Sequence, residues 1–102
     1  MEITINWDNI NDYANNVFNN ITKIKWKAGE LQKNIIDNFP DLIELGCSCN
    51  NITTLKPLSN CINLQVLYCD RNKIKSLEPL FNCVNLRELN CSYNRTTTLE
   101  PL

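Results

Sequence analysis

Apolar residues return along this chain on a fixed step. Leu42, Leu64 and Leu86 are 22 residues apart, and the same step carries Leu45 to Leu67 to Leu89, Cys47 to Cys69 to Cys91, and Asn50 to Asn72 to Asn94. It continues through Leu55, Leu77 and Leu99, through Pro57, Pro79 and Pro101, and through Leu58, Leu80 and Leu102, while Cys61 and Cys83 form a shorter column. Each unit reads LxxLxCxxNx(I/T)xxLxPL with no insertion. Such a period marks stacked units, none of which buries its apolar face without its neighbours. Within a unit, the alternation xLxCx predicts a short strand with Leu and Cys inward and the intervening residues outward.

A weaker unit precedes these. Residues 21–31 fit IxxIxWxxGxL, with Gly29 where later units have Asn, and Ile21 lies 21 residues before Leu42. This segment reads as a degenerate first coil, with Leu31, Ile35, Ile36 and Phe39 filling the half opposite the strand. Upstream, Ile10, Tyr13, Ala14, Val17, Phe18 and Ile21 recur at helical spacing, which predicts an amphipathic helix with Asp8 as its N-cap. A stack of coils must cover its first apolar layer, so this helix is expected to be the lid. The expected organisation is an N-terminal strand/helix cap over 1–20, a degenerate coil over 21–41, repeats over 42–63 and 64–85, and an incomplete, uncapped repeat over 86–102.

Parallel strands lie about 4.8 Å apart, so like positions form ladders. Three outward ladders are expected: Lys23, Glu44, Val66, Glu88; then Lys25, Gly46, Tyr68, Asn90; then Lys27, Ser48, Asp70, Ser92. Asn50, Asn72 and Asn94 stand where each strand turns away, positioned to bond backbone groups of their own and neighbouring coils. Cys47, Cys69 and Cys91 read as a buried thiol column, and the Pro column suits the start of a short helical turn on the return path. These columns are structural.

The repeated unit resembles the leucine-rich repeats, whose signature is LxxLxLxxNxL. Its 22-residue length and xPL segment are most similar to the internalin and SDS22-like subclass. The departure is Cys at 47, 69 and 91, where that subclass usually has Leu; Cys is still a residue of the core. The resemblance covers residues 42–102. It implies an α/β solenoid, a right-handed coil with a short parallel concave sheet, and protein recognition as the function. The Asn/Ile/Lys-rich style is similar to that of proteins from large DNA viruses of amoebae or from A/T-rich protists.

Composition narrows the chemistry. With 102 residues there is room for one domain, and a net charge of -1 without a Lys/Arg run leaves no electrostatic footprint for nucleic acid or anionic lipid. The chain has 0 His, which removes the usual general base, proton shuttle and commonest metal ligand. Nor does any apolar stretch reach the length needed to cross a bilayer. The acidic start at Met1–Trp7 is not a signal peptide, so the 6 Cys are expected as free thiols in a reducing compartment, inside the source or host cell or in a virion. Zinc needs about four converging ligands, whereas these Cys divide between two separate columns and an isolated Cys49. No metal, no cofactor and no enzyme activity is expected.

Two surfaces are candidates for a protein partner. The concave face gathers Lys25, Glu44, Val66, Tyr68, Asp70, Arg71, Glu88, Asn90 and Tyr93, a mixture of aromatic, Arg and charged residues of the kind that anchors interfaces. The C-terminal end is the other: Thr96 replaces the Ile of Ile52 and Ile74, and no capping segment follows Leu102. Leu86, Leu89, Leu99 and Leu102 are then expected to dock on a second copy, forming a homo-oligomer, or on another protein, unless the chain is a piece of a longer repeat protein. The main expectation is a non-enzymatic interaction module. The alternative is a structural subunit of a virion or other assembly, docking end to end.

Overall fold

The computed structural model describes residues 1–96. Five strands form one parallel sheet in chain order: β1 (Glu2–Asn6), β2 (Lys23–Lys27), β3 (Glu44–Gly46), β4 (Val66–Tyr68) and β5 (Glu88–Asn90). The return paths carry one short helix, α1 (Lys33–Ile36), and 3-10 turns at Lys56–Leu58 and Glu78–Asn82. Pro57 and Pro79 lie in the first turn of those 3-10 segments, where the fixed φ of proline suits the turn and its missing N–H is not needed. This is a solenoid-like α/β fold.

Register follows the sequence period. Glu44 pairs with Val66 and Val66 with Glu88, so each 22-residue step advances one strand along the sheet. The inward side chains Ile24, Leu45 and Leu67 stack in the same register, and Trp26, Cys47 and Cys69 make the next buried column. Opposite the sheet the core is closed by Leu31, Ile35, Ile36 and Phe39, then by Leu55, Leu58 and Leu64, then by Leu77, Leu80 and Cys83. All six cysteines are free thiols.

The asparagine column closes the backbone where the strands end. Asn50 Nδ2 donates to the carbonyls of Trp26, Cys47 and Ser48, and Asn94 Nδ2 to those of Cys69, Cys91 and Ser92. Asn50 Oδ1 accepts the Gly29 N–H and Asn94 Oδ1 the Ile74 N–H, so each side chain joins adjacent coils. A hydrocarbon side chain at these positions leaves buried backbone groups without partners.

The N-terminal segment differs from the amphipathic helix that the spacing predicts. It is a strand and one 3-10 turn, Ile10–Tyr13. β1 adds to the sheet in full register with β2, Glu2 opposite Lys23 through Asn6 opposite Lys27. Asp8 is not the cap: the turn begins after Asn9, and the Asn6 Oδ1 accepts the N–H groups of Asp8 and Asn9. Asparagine competes for backbone groups and disfavours helix interiors, and Asn15, Asn16, Asn19 and Asn20 all fall within the proposed helix. Its apolar residues are nevertheless used. Ile10 and Ile21 are buried, and Tyr13, Phe18 and Phe39 pack against one another at ring-centroid separations of 5.2 to 5.8 Å, while Val17 is exposed.

Candidate functional site

The outward ladders place the candidate residues on one surface. Lys25 lies between Thr4 on β1 and Gly46 on β3, and Gly46 is followed by Tyr68 on β4 and Asn90 on β5. In the adjacent ladder Lys23 approaches Glu44 at 3.9 Å. The Tyr68 hydroxyl crosses diagonally to donate to the Glu88 carboxylate. That bond is the main reason the phenol is held above its ordinary pKa, since ionisation removes the proton it donates.

Asp70, Arg71 and Tyr93 form a second group at the edge where the strands end. Ser48 Oγ donates to Asp70 Oδ1 at 2.6 Å, and Arg71 Nε lies 3.8 Å from Asp70 Oδ2. The Arg71 guanidinium sits over the Tyr93 ring, 4.8 Å from its centroid. Cys49, Arg71 and Tyr93 share one repeat position and all have left-handed backbones, with φ of 61°, 57° and 56°. This conformation costs an ordinary residue about 1–2 kcal/mol, and it turns these side chains outward beside the sheet.

Val66 departs from expectation. It is only 6% exposed, so it contributes a floor and little contact surface. Its register neighbours Glu44 and Glu88 flank it, and the Tyr68 side chain leans across toward Glu88 on the same face. Glu88, Asn90 and Tyr93 are exposed, and Glu44, Tyr68 and Asp70 are partly so. Trp7 is a residue that the sequence pattern did not place here. It follows β1 as Arg71 follows Asp70, is 68% exposed, and its ring lies against Gly29. Recognising β1 as a strand was the signal that locates it at this edge.

The other candidates fall elsewhere. Leu86, Leu89 and Cys91 are partly buried against the core, while Leu99 and Leu102 lie outside the described residues. Cys47 and Cys69 are fully buried, Cys49 points outward, and among the described residues no three His, Cys, Asp or Glu side chains converge as metal ligands. Among the described residues no helix is long and apolar enough to cross a membrane. A groove of about 690 Å³ lies on the side opposite the sheet; Lys33 at its rim is paired with Asp37, and Lys56 and Lys75 share the lining with Glu78.

A parallel sheet built from one strand per 22-residue coil, closed by an asparagine column, defines a leucine-repeat solenoid. The family model for Leucine Rich repeats (2 copies) matches residues 40–82 and again 62–102. The two matches span more than half of the chain, which belongs to the leucine-rich repeat family. Domains of this family commonly mediate protein–protein interaction and are typically non-catalytic. A search of curated proteins found no match.

Proposed function

We propose that the chain is a non-enzymatic protein-recognition module that binds its partner through the outer face of the sheet. The observation that carries this reading is the register that brings Lys25, Tyr68, Asp70, Arg71 and Tyr93 onto one surface. None of these side chains belongs to the buried apolar core. Aromatic and Arg side chains that are held in place before binding lose little entropy in an interface. Tyr68 is held by Glu88, and Arg71 by both Asp70 and Tyr93.

Affinity capture from lysate of the source or host cell, followed by mass spectrometry, tests this reading. A Tyr68→Ala, Asp70→Ala double variant of unchanged thermal stability is expected to lose the captured partner. Retention of that partner by the folded double variant overturns the assignment of the face.

A further inference from the structure

The chain contains 2 glycines, and the fold favours glycine at one of them. Gly29 has φ +73°, and a Cβ there would meet the Trp7 ring at 3.0 Å, so conformation and packing both favour glycine. Gly46 lies within β3, in unbroken register with Lys25 on one side and Tyr68 on the other. It has no positive φ, and a Cβ there would meet nothing nearer than the Ile24 carbonyl oxygen at 4.0 Å, an ordinary contact. Glycine weakens a strand, and besides bulges and tight bends the positions where it is often found are those that another group approaches closely.

The side chain absent from Gly46 leaves a notch in the ladder between Lys25 and Tyr68, with Ser48 two residues further along the strand. The carboxylates around it are engaged. Glu44 faces Lys23 at 3.9 Å, Glu88 accepts the Tyr68 hydroxyl, and Asp70 accepts Ser48 Oγ at 2.6 Å and lies 3.8 Å from Arg71. The nearest cations are not. Lys25 is flanked by Thr4 and Gly46, and neither Lys25 nor Lys27 makes an ion pair among the described residues. Lys25 and Lys27 are therefore the unpaired charges beside Gly46, whereas the Glu88 carboxylate, bonded to the neutral phenol, lies one strand beyond Tyr68.

The geometry points to this notch as the seat of a carboxylate side chain from an acidic, extended segment of the partner, with Lys25 and Lys27 supplying the charge and Tyr68 a flat wall. The inference rests on the outer-face reading above and narrows it from a protein to a peptide chemistry. A cationic side chain there meets two uncompensated ammonium groups, and a bulky apolar one strips water from Lys25 without replacing it.

The test is an amide chemical-shift titration of the whole chain with capped oligoglutamate, oligoglutamine and oligolysine of equal length. Oligoglutamate alone is expected to shift the amides of Lys25, Gly46 and Tyr68 to saturation. Gly46→Gln fills the notch and Lys25→Gln removes a cation; each is expected to weaken that binding about tenfold or more, as a clash or a lost charge pair does. The thermal midpoint of Gly46→Gln should not fall, and Gly46→Ser provides a smaller filling if it does. Equal binding of the three peptides, or oligoglutamate binding indifferent to both substitutions at Gly46, overturns the inference. Applied to the captured partner, the same variants separate the two readings. If Gly46→Gln and Lys25→Gln retain the partner while the Tyr68/Asp70 double variant loses it, the notch is not its seat and the outer face stands. If the double variant also retains it, both readings fall.

Discussion

The side-chain oxygen of Asn72 accepts the backbone N–H of Asn50, its counterpart one coil earlier, at 2.8 Å. The same oxygen accepts the Ile52 N–H at 3.0 Å, and Nδ2 donates to the carbonyls of Cys47, Cys69 and Asp70 at 3.0, 3.0 and 3.1 Å. One buried amide thus satisfies five backbone groups on two coils. It is this column that holds consecutive strands at a constant register and lets the outward ladders form.

Replacement of Asn72 by Ala leaves the N–H groups of Asn50 and Ile52 without partners in a site that is only 7% exposed, while the carbonyls of Cys47, Cys69 and Asp70 keep Asn50 Nδ2, Asn94 Nδ2 and the Cys49 N–H. A buried group deprived of its partner costs about 1–3 kcal/mol, and partial hydration keeps the total below the simple sum, so a loss of roughly 3 kcal/mol is expected. Urea denaturation measures it. An unchanged midpoint contradicts the structural role of the column. Asn94→Ala, at a less buried position, should cost less.

The two glycines should respond to alanine with opposite signs. Gly29→Ala puts a Cβ on a left-handed residue against the Trp7 ring, and a loss of about 1–2 kcal/mol is expected. Gly46→Ala meets only open space and an extended backbone, and a gain of about 0.5–1 kcal/mol is expected from the lower entropy of the unfolded chain. Thermal midpoints of the two variants, measured side by side, check the contrast. Loss of stability in both would mean that Gly46 has a structural role of its own.

Alkaline pH should destabilise the fold through its buried thiols. Burial, with a smaller contribution from the neighbouring Cys91 and Asp70, pushes Cys69 from 9.0 up to about 12, and Cys47 is also raised by burial. The folded chain keeps the proton that the unfolded chain releases above about pH 9. Stability is therefore fully present below that value and falls as pH rises toward 12, by about 1.4 kcal/mol per pH unit for each such thiol. Urea midpoints between about pH 8 and 11 under reducing conditions report the slope. Cys69→Ala should flatten it; equal slopes in parent and variant would remove this account.

Tyr68 offers a titration that reads the outer face directly. Its hydroxyl donates to Glu88, and that bond, ahead of the other causes, raises its pKa. Glu88→Gln removes the charge that holds the proton, so the phenolate absorbance transition should move down toward the ordinary value of 10.0. A transition that stays where it is in the variant shows that the two side chains are not joined in solution.

Much of the fold was legible before any coordinate. The columns at Leu45, Cys47, Asn50 and Pro57 and their partners 22 residues on define strand, turn and return path, because in a stacked chain each residue meets mainly its own counterpart in the next coil. The N-terminal segment was not legible in the same way. Ile10 through Ile21 fit a helical face, but helical spacing says nothing of the backbone competition from Asn15, Asn16, Asn19 and Asn20. A strand was part of the expected cap, but the short alternation of Ile3 and Ile5 did not announce that it joins the sheet in register with β2.

The outer face divides along the same line. Which residues point outward follows from strand alternation alone, so Lys25, Tyr68, Asp70 and Glu88 were found from the one-dimensional pattern. That Val66 is covered and that Trp7 joins the edge were decided only in three dimensions. Exposure on a sheet depends on how far the side chains of adjacent strands lean over one another, and those neighbours are some 20 residues away in the chain. Repetition makes the scaffold readable from sequence because it is the same contact made again. The recognition surface is built from the residues that do not repeat, and lateral packing alone determines what they present.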